Sequence, residues 1–209
     1  MGSSRWRSVL LAAVLTLGTG LAPAVSAAPL VVATTGMVGD TVASIGGECI
    51  DTRVLMGPGV DPHLYQASAS DVRAFQQTAL IVYNGFGLEG QLDNVLGRLG
   101  ERRSTLAVAE AADAAGPLRV MRDEANDAAD PHVWMDVQGW LRGVDVIAET
   151  LAAYDPAHAA GYRERAATYK EELEALDRYA KRATATIPEG RRVLVTAHDA
   201  FQYLGRAYG

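Results

Sequence analysis

The chain has 209 residues, 49% of them hydrophobic and 21% charged, which excludes disorder as a description of the whole. A formal net charge of −6 leaves no basic footprint for nucleic acid. The single cysteine, Cys49, excludes an internal disulfide framework and a Cys-rich zinc module, and reads as an inert, partly buried thiol.

Residues 1–27 read as a segment apart from the fold. Arg5 and Arg7 precede the uncharged run Val9–Leu17, and APAVSA follows, with Val25 and Ala27 at the small-residue positions before a cut. This is the pattern of a secretory signal peptide cleaved after Ala27. The apolar run is too short for a spanning helix, which needs about 20 residues. No Cys follows the run to carry a lipid, so the expectation is an exported, soluble, periplasmic protein. Cleavage leaves 182 residues with 17 basic against 25 acidic side chains, a net charge of −8.

From there, short β-rich runs alternate with helical stretches. Leu30–Thr34 predicts a strand, Met37–Ile45 a helix stopped by Gly46-Gly47, and Thr52–Met56 a second strand. Ala69–Gln77 predicts a helix with Ser70 as N-cap, Leu80–Tyr83 a third strand, Leu88–Leu99 an amphipathic helix and Thr105–Ala109 a fourth strand. Glu110–Asp130 is rich in Ala, Asp and Gly and reads mostly as loop. This order argues for an α/β fold with a parallel sheet covered on both faces.

The second part of the chain is helical. Val137–Tyr154 is one helix, and Asp155-Pro156 punctuates it. Tyr162, Ala166, Tyr169, Leu173, Leu176, Ala180 and Ala183 then recur in steps of four and three, one stripe along a helix over Pro156–Thr186. A coiled-coil or partner helix would show the same stripe. Ile187-Pro188-Glu189-Gly190 ends it, Arg192–Thr196 predicts a fifth strand, and Ala200–Tyr208 begins a further helix. The boundaries expected are an N-terminal lobe over 28–154, a linking helix over 155–187 and the start of a second lobe over 188–209.

Of the four histidines, three share a context beyond the carboxyl ends of predicted strands, where open parallel sheets place their ligand crevice. His63 stands in Gly57-Pro58-Gly59-Val60-Asp61-Pro62-His63, His132 in Asp130-Pro131-His132, and His198 in Thr196-Ala197-His198-Asp199. Neutral imidazoles are ligands for Zn, Mn or Fe, and three that converge make a competent set. The repeated Asp-Pro-His stiffens the chain before the ring. Asp61, Asp130, Asp136 and Asp199 are candidates to orient a ligand ring. His158, at a helix start, reads as a surface residue, and Glu171 and Glu172 with Lys170 and Arg178 as a solvated face. Phosphate-loop, GxSxG and HExxH patterns are absent.

Three segments, LMGPGVDPHLYQASASDV (55–72), ADPHVWMDV (129–137) and VTAHDAFQYLGRAYG (195–209), closely resemble the zinc/manganese solute-binding proteins of metal ABC importers. The resemblance runs from Leu30 to Gly209. It implies two α/β lobes joined by one long rigid helix, with the metal between the lobes and His63, His132 and His198 as ligands. A His at the third position leans toward zinc, with manganese next. Two features temper that lean: Glu110–Asp130 lacks the His-rich loop common in zinc-uptake members, and the second and third segments look most like a three-His branch handling both metals. The resemblance further implies one transported ion per chain, a monomer, and transient docking on an ABC permease and its ATPase subunit, with no reaction catalysed. The family's fourth ligand, an Asp from the second lobe, lies beyond the eleven residues that follow His198, so a chain cut within that lobe is expected. The alternatives are a secreted zinc-dependent hydrolase, for which no Glu adjoining the three His supplies a general base, and a metal-binding surface adhesin.

Overall fold

The computed structural model describes residues 27–116, 118–122 and 127–209. The leader expected over 1–27 lies outside them except for its last residue. Among the described residues no helix is long and apolar enough to cross a membrane.

Four strands form one all-parallel sheet in the order β2-β1-β3-β4: β1 Leu30–Ala33, β2 Asp51–Val54, β3 Leu80–Tyr83 and β4 Thr105–Ala107. Val31 pairs with Thr52 on one side and Leu80 on the other, which places β1 at the centre. Side chains alternate across a strand, so Val31 and Ala33 face one layer while Val32 faces the other. The first layer gathers Val38, Val42 and Ile45 of α1 (Gly36–Gly46), Val108 and Ala112 of α4 (Val108–Ala115), and Val144, Ile147 and Leu151 of α5 (Val137–Tyr154). The second gathers Phe75 of α2 (Ala69–Gln77), Leu92, and Leu96 of α3 (Asp93–Gly100). Burial on both faces is why β1 and β3 are continuous apolar runs.

Several boundaries differ from expectation. The N-cap of α2 is Ser68, whose hydroxyl accepts from Asp71 N while the Asp71 carboxylate accepts from Ser68 N in a reciprocal capping box; Ser70 lies inside the helix. The helix expected from Leu88 begins at Asp93, because Gly85, Phe86, Gly87 and Gly90 all have positive φ and hold a tight turn instead. The supposed loop after β4 opens with α4, in which Val108, Ala109 and Ala112 are buried; alanine's helix propensity outweighs the low apolar content.

Helix α6 (Ala159–Ala185) follows a short 3₁₀ turn over Pro156–His158. Its 27 residues span about 40 Å. The first half packs on the sheet's helices. Tyr162 is fully buried, Arg165 donates from Nε to Ile45 O (2.6 Å) and from Nη2 to Gly46 O (3.0 Å), satisfying carbonyls at the end of α1, and Tyr169 donates to Asp40 (2.7 Å). The expected stripe breaks in the second half. Leu176 is exposed, and the buried residue is Asp177, which accepts from Gln138 and Lys181.

The fifth strand does not form: residues 192–196 are irregular, with Val193, Leu194 and Val195 at 78%, 60% and 87% exposure. A β-rich run makes a strand only beside a partner, and the four-stranded sheet does not take this one in. Helix α7 (Gln202–Tyr208) closes the chain.

Candidate metal centre

His63, His132 and His198 each present a ring nitrogen within 4.8 Å of the other two. Ring centroids are 5.5 Å apart for His63 and His132 and 5.1 Å for each pair with His198. Three elements converge to do this. His63 sits in a 3₁₀ turn (Pro62–Leu64) beyond β2, where Asp61 caps by accepting from His63 N (2.9 Å). His132 precedes α5, at the end of the segment following α4. His198 lies on the irregular run before α7. Only His63 follows a sheet strand directly, so the shared position expected beyond three strand ends is replaced by convergence of three loops.

His132 is the most constrained of the three, at 5% exposure. Its Nδ1 lies 2.6 Å from Asp130 Oδ1, which also accepts from His132 N (2.9 Å). A carboxylate accepts only, so Nδ1 carries the proton and the Nε2 lone pair faces the other rings. Of the four aspartates expected to orient rings, Asp130 alone does so. Asp61 caps a backbone turn, Asp136 caps α5 through Gln138 N and Gly139 N and pairs with Arg206, and Asp199 accepts from Gln202. His158 is held away from the cluster, with Nδ1 2.6 Å from Asp155. Cys49 packs beside the first core layer.

The exposed His198 reaches the cluster because Tyr203 fastens α7 to the His132 loop. The buried Tyr203 hydroxyl accepts from Met121 N (3.0 Å) and donates to Asp130 O (3.1 Å). His198 Nε2 then lies 3.1 Å from His132 Nε2. Two imidazoles bound tetrahedrally to one zinc, at about 2.0–2.1 Å each, hold their nitrogens about 3.3 Å apart. That pair is already at chelating distance, and the widest pair has to close by at most about 1.5 Å. Burial, then repulsion from His132 and His198, holds the His63 imidazole below its ordinary pKa, against the pull of Asp61. A neutral ring is the form that binds a metal.

A buried acid that the sequence analysis did not single out stands behind the cluster. Glu89 is 0% exposed, and its carboxylate accepts from Thr34 Oγ1 (2.7 Å), Asn84 N (2.7 Å) and Gly85 N (3.1 Å), tying the carboxyl ends of β1 and β3. Burial pushes its carboxyl up in pKa, while these three donors pull it back. The three glycines of 85–90 were the only sequence signal of a constrained turn there.

Beside this all-parallel α/β sheet, three imidazoles converge from three loops, and such donors suit a divalent transition metal. The family described as ZnuA, zinc-uptake complex component A, periplasmic, matches residues 31–209, and the chain belongs to that family. It is 41% identical over 179 residues to the manganese-binding lipoprotein MntA of Bacillus subtilis, covering 86% of this chain and 58% of that protein. It is 42% identical over 181 residues to the zinc-binding protein TroA of Treponema pallidum, covering 87% and 58%. The solved structure of the periplasmic zinc-binding protein TroA superposes with a TM-score of 0.81 at 41% identity, over 87% of this chain and 64% of that one. The chain thus spans less than two thirds of the length of each of these relatives.

Proposed function

We propose that this chain captures a divalent transition metal outside the cytoplasm, as the solute-binding component of an ABC importer, and hands it to a permease and its ATPase subunit. His63, His132 and His198 are the ligands, one ion binds per chain, and no reaction is catalysed. The observation that carries this is the convergence of three imidazole nitrogens within 4.8 Å, two of them 3.1 Å apart. The relatives are named for zinc and for manganese. Three imidazole donors favour zinc, with manganese next. In this reading α6 is the link between the sheet lobe and a second lobe that starts near residue 188, and the carrier works as a monomer.

The test is metal content after native purification of the full chain, followed by zinc and manganese titration calorimetry. One zinc per chain is expected. His63→Ala should weaken binding at least tenfold, since it removes one of three ligands, whereas His158→Ala should leave it within about twofold because that ring faces Asp155. A chain that carries no transition metal and takes up none in the calorimeter overturns the proposal.

A further inference from the structure

The 84–90 turn contributes no ligand, yet it touches the loops of two of them. Asn84 Nδ2 donates to Pro131 O at 2.9 Å, and Pro131 immediately precedes His132. At the other end, Gly90 has φ 51 and lies so close to the backbone of His63 that a Cβ there would overlap the His63 carbonyl oxygen. The turn therefore meets the backbone of both loops, beside the rings rather than at them.

Its own conformation is held against local preference. Four of its seven residues have positive φ: Gly85 (87°), Phe86 (50°), Gly87 (79°) and Gly90 (51°). Such a geometry at a non-glycine costs of order 1–3 kcal/mol and persists only where the surroundings over-determine it. Two carboxylates do so here. Glu110 Oε1 accepts from Phe86 N (2.7 Å), and Glu89 accepts from Asn84 N and Gly85 N while reaching across to Thr34 at the end of β1. A carboxylate buried this deeply is costly unless its oxygens are satisfied. Glu89 has donors on both oxygens, and both its backbone donors belong to the turn.

We propose that the 84–90 turn, locked by Glu89, is the template that sets the spacing between His63 and His132, so that Glu89 and Asn84 are positioning residues for metal capture. The proposal rests on the reading of the three imidazoles as ligands. Glu89 fixes the turn to the central strands, Asn84 carries the reference to the His132 loop, and Gly90 carries it to His63. Pro131, with its fixed φ, passes the position on without slack.

The test compares the full chain with Glu89→Gln, Asn84→Ala and His158→Ala, by zinc competition against a chromophoric chelator and by the visible spectrum of the Co2+ form. Glutamine keeps size and one acceptor oxygen, but its amide group must face the hydroxyl and backbone donors that a carboxylate satisfies. Asn84→Ala leaves the Glu89 contacts in place and removes the link to Pro131, so it serves if Glu89→Gln does not fold. For each turn variant that folds, zinc affinity should fall about 10–100-fold, the usual range when a group supporting a ligand is lost. The Co2+ bands should weaken or shift as tetrahedral geometry is lost, with His158→Ala unchanged. In a His132→Ala background, Asn84→Ala should add no further loss, which a general loss of stability would not mimic. Turn variants that fold and match the unaltered chain in affinity and spectrum overturn the proposal while His63→Ala still shows the ligands to be right. An unaltered chain that binds neither ion overturns both readings together.

Discussion

Replacing Asp130 by alanine isolates what the carboxylate does for His132. The Nδ1···Oδ1 contact is 2.6 Å, and the two side chains are 6% and 7% exposed, so the hydrogen bond lies in a desolvated setting where solvent screens it little. Its loss frees the imidazole to change tautomer and rotate, and leaves a buried N–H without an acceptor. Such supporting groups are worth 10–100-fold in metal affinity, about 1.4–2.8 kcal/mol. Stability should fall as well, by about 1–3 kcal/mol for an unsatisfied buried donor. Asp130→Asn retains an oxygen that can accept from Nδ1–H but lacks the charge, and should fall between alanine and the unaltered protein. Zinc competition at pH 7.5, with urea unfolding of chelator-treated protein alongside, separates the two effects. If folded Asp130→Ala binds zinc within about twofold of the unaltered chain, the argument that this carboxylate fixes the ligand tautomer is refuted.

Tyr203→Phe removes an acceptor from Met121 N and a donor to Asp130 O, and should lower stability by about 1–3 kcal/mol in urea unfolding and weaken zinc binding by loosening His198. Arg165→Ala leaves the Ile45 and Gly46 carbonyls without their guanidinium donors; a loss of about 1–3 kcal/mol is expected, with faster proteolysis near Gly47. The pH dependence follows from His63, whose pKa in the folded chain is below the unfolded value of about 6.5. The folded state then binds fewer protons than the unfolded state, so the contribution of His63 is complete above about 6.5 and is lost as pH falls through that value toward the folded pKa. The urea midpoint of chelator-treated protein should drop between pH 7.5 and pH 5, and His63→Ala should flatten that drop.

The sheet and two of the imidazoles were legible from local signals: continuous apolar runs for β1 and β3, and the repeated Asp-Pro-His for His63 and His132; His198 was singled out by its place after a strand that the sheet does not take in. What failed depended on partners distant in sequence. Val193–Val195 has strand-forming side chains but pairs with no strand among the described residues. The cap of α2 moved from the expected Ser70 to Ser68 because only Ser68 makes the reciprocal contact with Asp71. The four candidate aspartates were chemically alike, and only the fold shows that Asp130 alone faces a ring. Glu89 was invisible for the same reason, since a glutamate beside glycine reads as surface until the ends of β1 and β3 are seen to enclose it.

The double role of the Tyr203 hydroxyl has a consequence for how the protein opens. Met121 N–H exchanges with solvent only when its acceptor leaves, and that acceptor rides on α7. Asp130 N donates to Met121 O, so the two residues that Tyr203 holds are also bonded to each other, just before His132. Lifting of α7 and parting of Met121 from Asp130 are thereby joined into one cooperative opening. An ion bridging His132 and His198 would hold both sides of that opening shut. It would slow amide exchange at Met121, whose own side chain is not one of the ligands.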